Sequence, residues 1–253
     1  MFSEKQLDQL EQDETNLTEE EIALMILLLT SLYNSLETEL RKFYSKYGAD
    51  GVVTYSDARK HVNVDDHRKR MSVLLTSVQN KFVNLLEDLK PHFNSFLTGV
   101  ITKESEFFNV KLERDDIITT SWGFDDLTWK ERLEDDVELW WYNVSKDIKQ
   151  SIMKRENIEV VLNDLNKRFV TMEHVIKRLA LTESTAMGSI ARRQIFKELG
   201  VKRYRFYARE DERTCDECGA LHGLTFPVSA YEIGVNASPI HSRCRCWEVP
   251  IFD

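Results

Sequence analysis

Cys215-Asp-Glu-Cys218 and His241-Ser-Arg-Cys244-Arg-Cys246 are the two stretches on which the reading of the fold turns. They hold all four cysteines of the chain, and no cysteine precedes them. Two close donor pairs separated by a loop are how a short segment closes around a metal ion. A C-x-x-C turn lets both sulfurs face one ion, and His241 and Cys244 repeat that spacing across the loop. Zinc takes four ligands in a tetrahedron. Cys215, Cys218, His241 and one of Cys244 or Cys246 would supply them, or the cysteines alone if His241 is not a ligand. Free thiols packed in a small core and a disulfide are the other uses of such residues, the second needing an oxidising compartment. His222 reads as a turn residue near the site. His61, His67, His92 and His174 are scattered and read as structural or surface histidines.

Working back from this unit, the character of the chain changes at Gly200. Tyr204-Arg-Phe-Tyr207 alternates like a strand, and turn residues and short extended pieces follow. Before Gly200 the chain reads as helix. Only 4 Pro and 9 Gly occur in 253 residues, and long helices tolerate few of either. Leu17-Thr18-Glu-Glu-Glu21-Ile22 has the form of a capping box, with Thr18 as N-cap and a helix running to Tyr47, stopped by Gly48. Residues 1–16 read as a flexible acidic arm, and Val52 to Tyr55 as a short strand or link. A second helix starts near Asp65-Asp66 and runs to Leu89, where Pro91 should kink or end it. Phe93 to Leu112 is mostly helical in pattern, and Trp122-Gly123-Phe124 looks like a loop. A helix over Asp126 to Met153 carries Trp140-Trp141-Tyr142, which suits a core or an interface. Two more helices are expected, Ile158 to Leu181 and Thr182 to Leu199. The fold class expected is mainly α: a flexible arm (1–16), a long-helix body (17–156) and a C-terminal domain (157–253) ending in a small α+β zinc-knot-like unit.

The charge is unevenly spread. Residues 1–148 carry 17 Lys+Arg against 29 Asp+Glu, residues 149–209 carry 14 against 6, and residues 210–253 carry 3 against 8, within a net −9. The chain as a whole is therefore no generic nucleic-acid binder. The 149–209 segment alone can present a basic face, to DNA or to an acidic partner, with Arg192, Arg193, Lys197, Lys202 and Arg203 as candidate phosphate contacts. A solvated helix surface is the plainer use of the same charges. The longest apolar run, Ile22 to Leu29, is too short to span a bilayer, and the start Met-Phe-Ser-Glu-Lys-Gln lacks the pattern of a secretory signal, so cytoplasmic synthesis is expected.

At Arg178-Leu-Ala-Leu-Thr182-Glu183 one helix should end and the next begin. Thr182 can cap the new helix, Glu183 suits its positive end, and Arg178 can reach Glu183 as a partly buried pair. One continuous helix with all three residues on its wet face is the competing reading.

From Arg178 to Cys246 the sequence resembles the C-terminal domain of phage minor head proteins of the Mu F-like, or head-morphogenesis, family. The matching pieces occur in order. They are Arg178 to Glu183, Gly200-Val201 with the Tyr204–Tyr207 strand, Asp211-Glu-Arg-Thr-Cys215-Asp-Glu-Cys218, Leu221-His-Gly223, and Pro239-Ile-His241-Ser-Arg-Cys244-Arg-Cys246. Ser242 and Ser238 stand where the family tends to have proline, and neither change removes a donor. Residues 1–150 carry no motif. The resemblance implies a minor head protein made in the bacterial host cytoplasm and placed in the virion, at the capsid interior or portal vertex. Its implied partners are the portal protein, other head proteins and packaged double-stranded DNA bound without sequence preference, and no membrane. The implied role is in procapsid assembly and DNA packaging or ejection, without enzymatic activity and with zinc as a structural ion. A zinc-dependent nuclease or other DNA-processing enzyme is the alternative. It needs an open metal position and a nearby base, which a site filled by four protein ligands does not leave.

Overall fold

The computed structural model describes residues 4–53, 64–123 and 125–252. The elements run α1 (Glu4–Tyr47), β1 (Gly48–Ala49), β2 (Val52–Val53), α2 (Val64–Phe108), α3 (Arg114–Ile118), α4 (Trp129–Met153), α5 (Ile158–Glu198), β3 (Arg203–Tyr207), α6 (Asp216–Leu221), β4 (Thr225–Pro227) and β5 (Trp247–Ile251). The class is mainly α with small sheets, as the sequence predicts. Tyr55, His61, the His67 side chain and Phe124 lie outside the described residues.

Three helix boundaries differ from expectation, and in each the driving term is burial. α1 starts at Glu4, not at Thr18, so there is no flexible arm over the described part of 1–16. Leu7, Leu10, Thr18 and Ile22 are buried along one helical stripe, and that packing orders a segment whose polar composition would not order itself. Thr18 sits inside the helix. Its hydroxyl donates to the Glu14 carbonyl at 2.9 Å and lies 3.0 Å from the Ser184 hydroxyl. Leu17 rests on Gly99 of α2 so closely that a Cβ there would overlap it. α2 carries Pro91 in its interior without ending. The lost N–H and the ring clash cost about 3 kcal/mol. Leu85 and Leu89 on one side, and Phe93, Phe96 and Leu97 on the other, are buried and offset it. α5 is one helix from Ile158 to Glu198, with no break at Leu181. Gly200 does end it as expected, in the left-handed region at φ 65°.

The contacts divide the chain into two compact units that do not follow sequence order. One comprises Leu24–Lys90 and Glu134–Val175. Its described residues are mostly helix, with the β1–β2 hairpin, and aromatic rings pack within it. Phe82 stacks on Trp141 at 4.9 Å, and Trp140 meets Phe169 edge-on at 4.9 Å. The Trp140 indole N–H donates to the Arg168 carbonyl at 2.8 Å. Of the Trp-Trp-Tyr run, Trp140 is core and Tyr142 is exposed.

The other unit comprises Met1–Ala23, Pro91–Leu133 and Ile176–Asp253. Its three-stranded antiparallel sheet has the order β4-β3-β5, with Tyr204 opposite both Phe226 and Pro250. Along β3, Tyr204 and Phe206 face inward and the arginines between them face water. The centre of this unit is charged. Glu104 of α2 and Glu248 of β5 are fully buried, and Arg192 of α5 lies 3.2 Å from one and 3.5 Å from the other. The Tyr231 hydroxyl donates to Glu248 at 2.9 Å, and the Ser238 N–H donates to its other oxygen at 2.6 Å. Arg192 is 6 % exposed and so cannot be the phosphate contact expected of it. A guanidinium that neutralises buried carboxylates belongs to the core. Its neighbours Arg193, Lys197, Lys202 and Arg203 are exposed.

Glu14 of α1 joins this cluster, so one guanidinium faces three buried carboxyls. Neither oxygen of Glu104 nor Oε1 of Glu14 has a hydrogen-bond partner. Burial pushes both carboxyls up, helped by the charge of Glu104 at Glu14 and by that of Glu248 at Glu104, which reaches about 7. A carboxyl whose pKa is raised by folding holds its proton more tightly in the folded state. Its stabilising contribution is complete at acid pH, below about 4.5, and is lost as pH rises through about 7. The melting temperature should therefore fall by several degrees between pH 5 and pH 8. Glu104→Gln, which keeps the shape without the charge, should flatten that slope. Equal slopes in parent and variant, followed by calorimetry, would contradict the assignment.

Candidate metal centre

The donors converge because three local structures aim them. The first pair comes from a turn built by Asp211. Its carboxylate accepts the Arg213 N–H at 2.9 Å, and its own N–H donates to the Thr214 hydroxyl at 3.1 Å. Thr214 donates in turn to the Arg209 carbonyl. This turn delivers Cys215 to the N-cap of α6, where its sulfur accepts the Cys218 N–H at 3.4 Å. One turn of helix then puts Cys218 beside it. The second pair comes from the bend before β5. The third structure is α5, which fixes that bend. The Thr185 hydroxyl donates to the Cys244 carbonyl at 2.9 Å, and the Thr182 hydroxyl accepts the Arg243 N–H at 3.0 Å.

All five expected donors meet. His241 Nε2 lies 3.2 Å from the Cys215 sulfur and 3.3 Å from that of Cys218. Cys218 and Cys244 are 3.8 Å apart, and all four thiols are free. Zinc bonds of about 2.3 Å to sulfur and about 2.0 Å to nitrogen imply tetrahedral edges of about 3.8 Å between sulfurs and about 3.5 Å between sulfur and nitrogen. These three separations are at or slightly inside those edges, while Cys244 lies beyond 4.8 Å from Cys215 or His241. The donors form two triads that share Cys218: Cys215, Cys218 and His241, and Cys218, Cys244 and Cys246. His241 Nδ1 lies 2.9 Å from the Ser242 carbonyl, which draws the ring proton there and leaves Nε2 as the lone pair facing the sulfurs. Cysteines, histidine and the void of about 20 Å³ among them can hold one small soft cation.

Electrostatics argue for a cation as well. Cys218, Cys244 and Cys246 are buried together with Phe206 and Ala208 in the small core of this end of the chain. The Cys218 backbone N–H lowers Cys215, and a sulfur hydrogen bond from Cys246 takes Cys244 down to about 6. Burial and the neighbouring thiolate push Cys218 up to about 12, and the Cys244 sulfur and burial hold Cys246 far above the ordinary thiol range. Sulfurs this close cannot all ionise unless a positive ion sits among them.

The junction residues are all structural, though not as expected. Arg178 and Thr182 lie within α5, where the Thr182 hydroxyl donates back to the Arg178 carbonyl at 2.6 Å in place of capping. Glu183 is fully buried and pairs with Arg132 at 2.8 Å, not with Arg178, and accepts the Trp122 indole N–H at 2.8 Å. Of the competing reading, the continuous helix holds, but Glu183 is not on a wet face. Burial raises the Glu183 carboxyl, against the pull of Arg132. Neither Arg132 nor Trp122 stands out in the sequence, because both are remote from Glu183 along the chain. Thr185 ties α5 to the second donor pair. The Thr128–Glu131 capping box at the start of α4 was equally legible, with the Glu131 N–H and the Thr128 N–H each bonded to the other's side chain at 3.3 and 2.8 Å.

Residues 142–249 match the sequence model of the family described as Phage Mu protein F like protein. No curated protein and no solved structure matches the chain.

Loss of a partner from a buried ion pair costs ~3 kcal/mol or more. Glu183→Ala should therefore destabilise the chain by about that amount in denaturant unfolding, because Arg132 and Trp122 lose their acceptor. Glu183→Gln, which retains a carbonyl oxygen for the indole, should cost less. If both variants unfold like the parent, the pair does not hold this part of the structure.

Proposed function

We propose, from the match of residues 142–249 to the Mu F-like family, that the chain is a minor phage head protein whose C-terminal unit is closed by a structural zinc ion. Phage head proteins are its partners in this reading, the portal protein among them, and the virion is its destination. Its role is in procapsid assembly and in packaging or ejecting DNA. The observation that carries the reading is the position of the five converging donors. They lie at the end of the matched segment and include every cysteine of the chain.

Zinc in this reading is held by Cys215, Cys218 and His241, with Cys244 as the fourth ligand because its sulfur stands at a tetrahedral edge from Cys218. When bound, the ion would supply a cross-link between the α6 turn and the bend before β5 and the positive charge that lets the thiolates coexist. The small unit has little other core, and metal closure is a common remedy for that. A purely structural site agrees with the space available. The void of about 20 Å³ lined by Cys215, Cys218, His241 and Cys246 is of a size for an ion. None of the helices among the described residues is long and apolar enough to cross a membrane.

Two measurements test the proposal. Protein purified without chelators should contain about one zinc per chain by elemental analysis. Cys218→Ser should lose that zinc and melt the C-terminal unit while the helical circular dichroism signal stays largely intact. Freely titrating thiols and no metal would overturn the zinc assignment. In a phage carrying the gene, the protein should be found in purified heads at a few copies. Heads that assemble without ever containing it would overturn the head assignment.

A further inference from the structure

The central strand of the three-stranded sheet, β3, turns Arg203 and Arg205 to water. Neither guanidinium has an ion pair or a hydrogen bond among the described residues, whereas Arg41, Arg132, Arg168, Arg209 and Arg245 each meet a carboxylate. Directly opposed residues of antiparallel strands share a face. Those opposite the two arginines are Val249 and Ile251 of β5 and Thr225 and Pro227 of β4. This stretch of the face therefore carries two positive charges and four uncharged side chains, and none of the six is a carboxylate. Alternate residues of a strand lie about 7 Å apart, so the two charges repel and nothing on the face offsets them.

A face of opposite sign lies on α4. Asp135, Glu138, Leu139 and Tyr142 follow one another at helical spacing on one side of the helix, and all are exposed, Leu139 at 63 % and Tyr142 at 61 %. Neither Asp135 nor Glu138 has an ion pair among the described residues, although Glu134 beside them is held by Lys90 at 2.9 Å. Lys146 lies over the Tyr142 ring, so the acidic end of the face is the one at Asp135 and Glu138. Side chains three positions apart on a helix are about 5–6 Å apart at Cβ, close to the spacing of the two guanidiniums. Each face thus sets two free charges of one sign beside apolar groups, Val249 and Ile251 on the sheet and Leu139 and Tyr142 on the helix, and the signs are opposite.

We propose that these two faces bind each other between copies of this chain, the sheet face of one copy on the α4 face of the next. A nucleic acid is less well matched to the sheet. The Tyr207 ring, next along β3 on the same face, lies between His222 and Trp247 at 4.9 and 4.8 Å and offers no free platform for a base, and Val249 and Ile251 gain nothing from phosphates. Two different faces make the contact heterologous, so association continues past a dimer into a ring or an open chain. Six sheet residues make a small interface whose charges stay close to water, so the association is weak and sensitive to salt. The inference depends neither on the metal nor on the head-protein reading.

The test is sedimentation of the full chain in low salt at tens of micromolar, where a weak specific interface populates the bound state. The mass of the parent should rise with concentration, and raising the salt from about 0.05 to about 0.5 M should weaken association about tenfold. Arg203→Glu combined with Arg205→Glu should abolish association, as should Asp135→Lys combined with Glu138→Lys. An equimolar mixture of these two variants should associate again, because their reversed faces complement each other. All four positions are exposed, so both variants should melt like the parent. Arg203→Gln combined with Arg205→Gln removes the charges without reversing them and should weaken association severalfold, which keeps the test decisive where a reversed variant does not fold. The proposal is overturned if the parent stays monomeric under these conditions, if either reversed variant associates like the parent, or if their mixture does not associate. It is overturned equally if the Arg203/Arg205 substitutions lower affinity for a DNA duplex and leave self-association as it was, because the sheet then faces nucleic acid.

Discussion

Three buried sulfurs gathered beside a fourth and an imidazole are the constraint on which the C-terminal end of this chain depends. The unit around them is small: a short helix, three strands and a core in which the cysteines themselves are the filling. A core of that size does not stabilise a fold by apolar burial alone. Left without a cation, it also repels itself as its thiols ionise. With one, the same crowding becomes a cross-link between the α6 turn and the bend before β5. The surrounding structure serves that closure. Asp211 shapes the turn that presents Cys215, Ser242 orients the imidazole, and Thr182 and Thr185 anchor the bend to α5.

Elsewhere in the same unit, polarity is buried in pairs. Arg132 meets Glu183, and Arg192 stands among Glu14, Glu104 and Glu248. Such groups contribute little net stability compared with apolar residues of the same size, but they penalise any arrangement that separates them. α5 takes part in both sets and also carries the two threonines that hold the metal-site bend. Its uninterrupted course from Ile158 to Glu198 sets the spacing between these contacts. A break at Thr182 would have placed Glu183 and Thr185 in different orientations.

Much of this was legible in the sequence, and what was not has a physical cause. The helical class followed from apolar spacing and the scarcity of glycine and proline. The donor set followed from residue type and spacing, because metal ligation is a short-range chemical requirement. The helix ends at Gly48 and Gly200 followed from glycine, at Gly200 through its left-handed backbone and at Gly48 through the close approach of the Val52 carbonyl. The errors arose where long-range packing overrides a local signal. Thr18 has the form of a cap, yet Leu7 and Leu10 bury an earlier stretch. Pro91 should break a helix, yet apolar residues on both sides hold it. Arg192 looked like one of a basic group, but its helical position turns it to the core while Arg193 faces water. Arg132 and Trp122 could not be paired with Glu183 by local reasoning, because the chain separates them by 51 and 61 positions.

A metal among the donors would make this end of the chain a rigid unit whose exposed groups are held in place. The central claim is that the Cys/His cluster is such a unit. X-ray absorption at the zinc edge of the purified full chain tests it most directly. The account predicts a first shell of three sulfurs at about 2.3 Å and one nitrogen at about 2.0 Å, unchanged when Cys246→Ser is introduced and altered when Cys244→Ser is. A shell made mainly of oxygen and nitrogen, or one indifferent to Cys244→Ser, would contradict it.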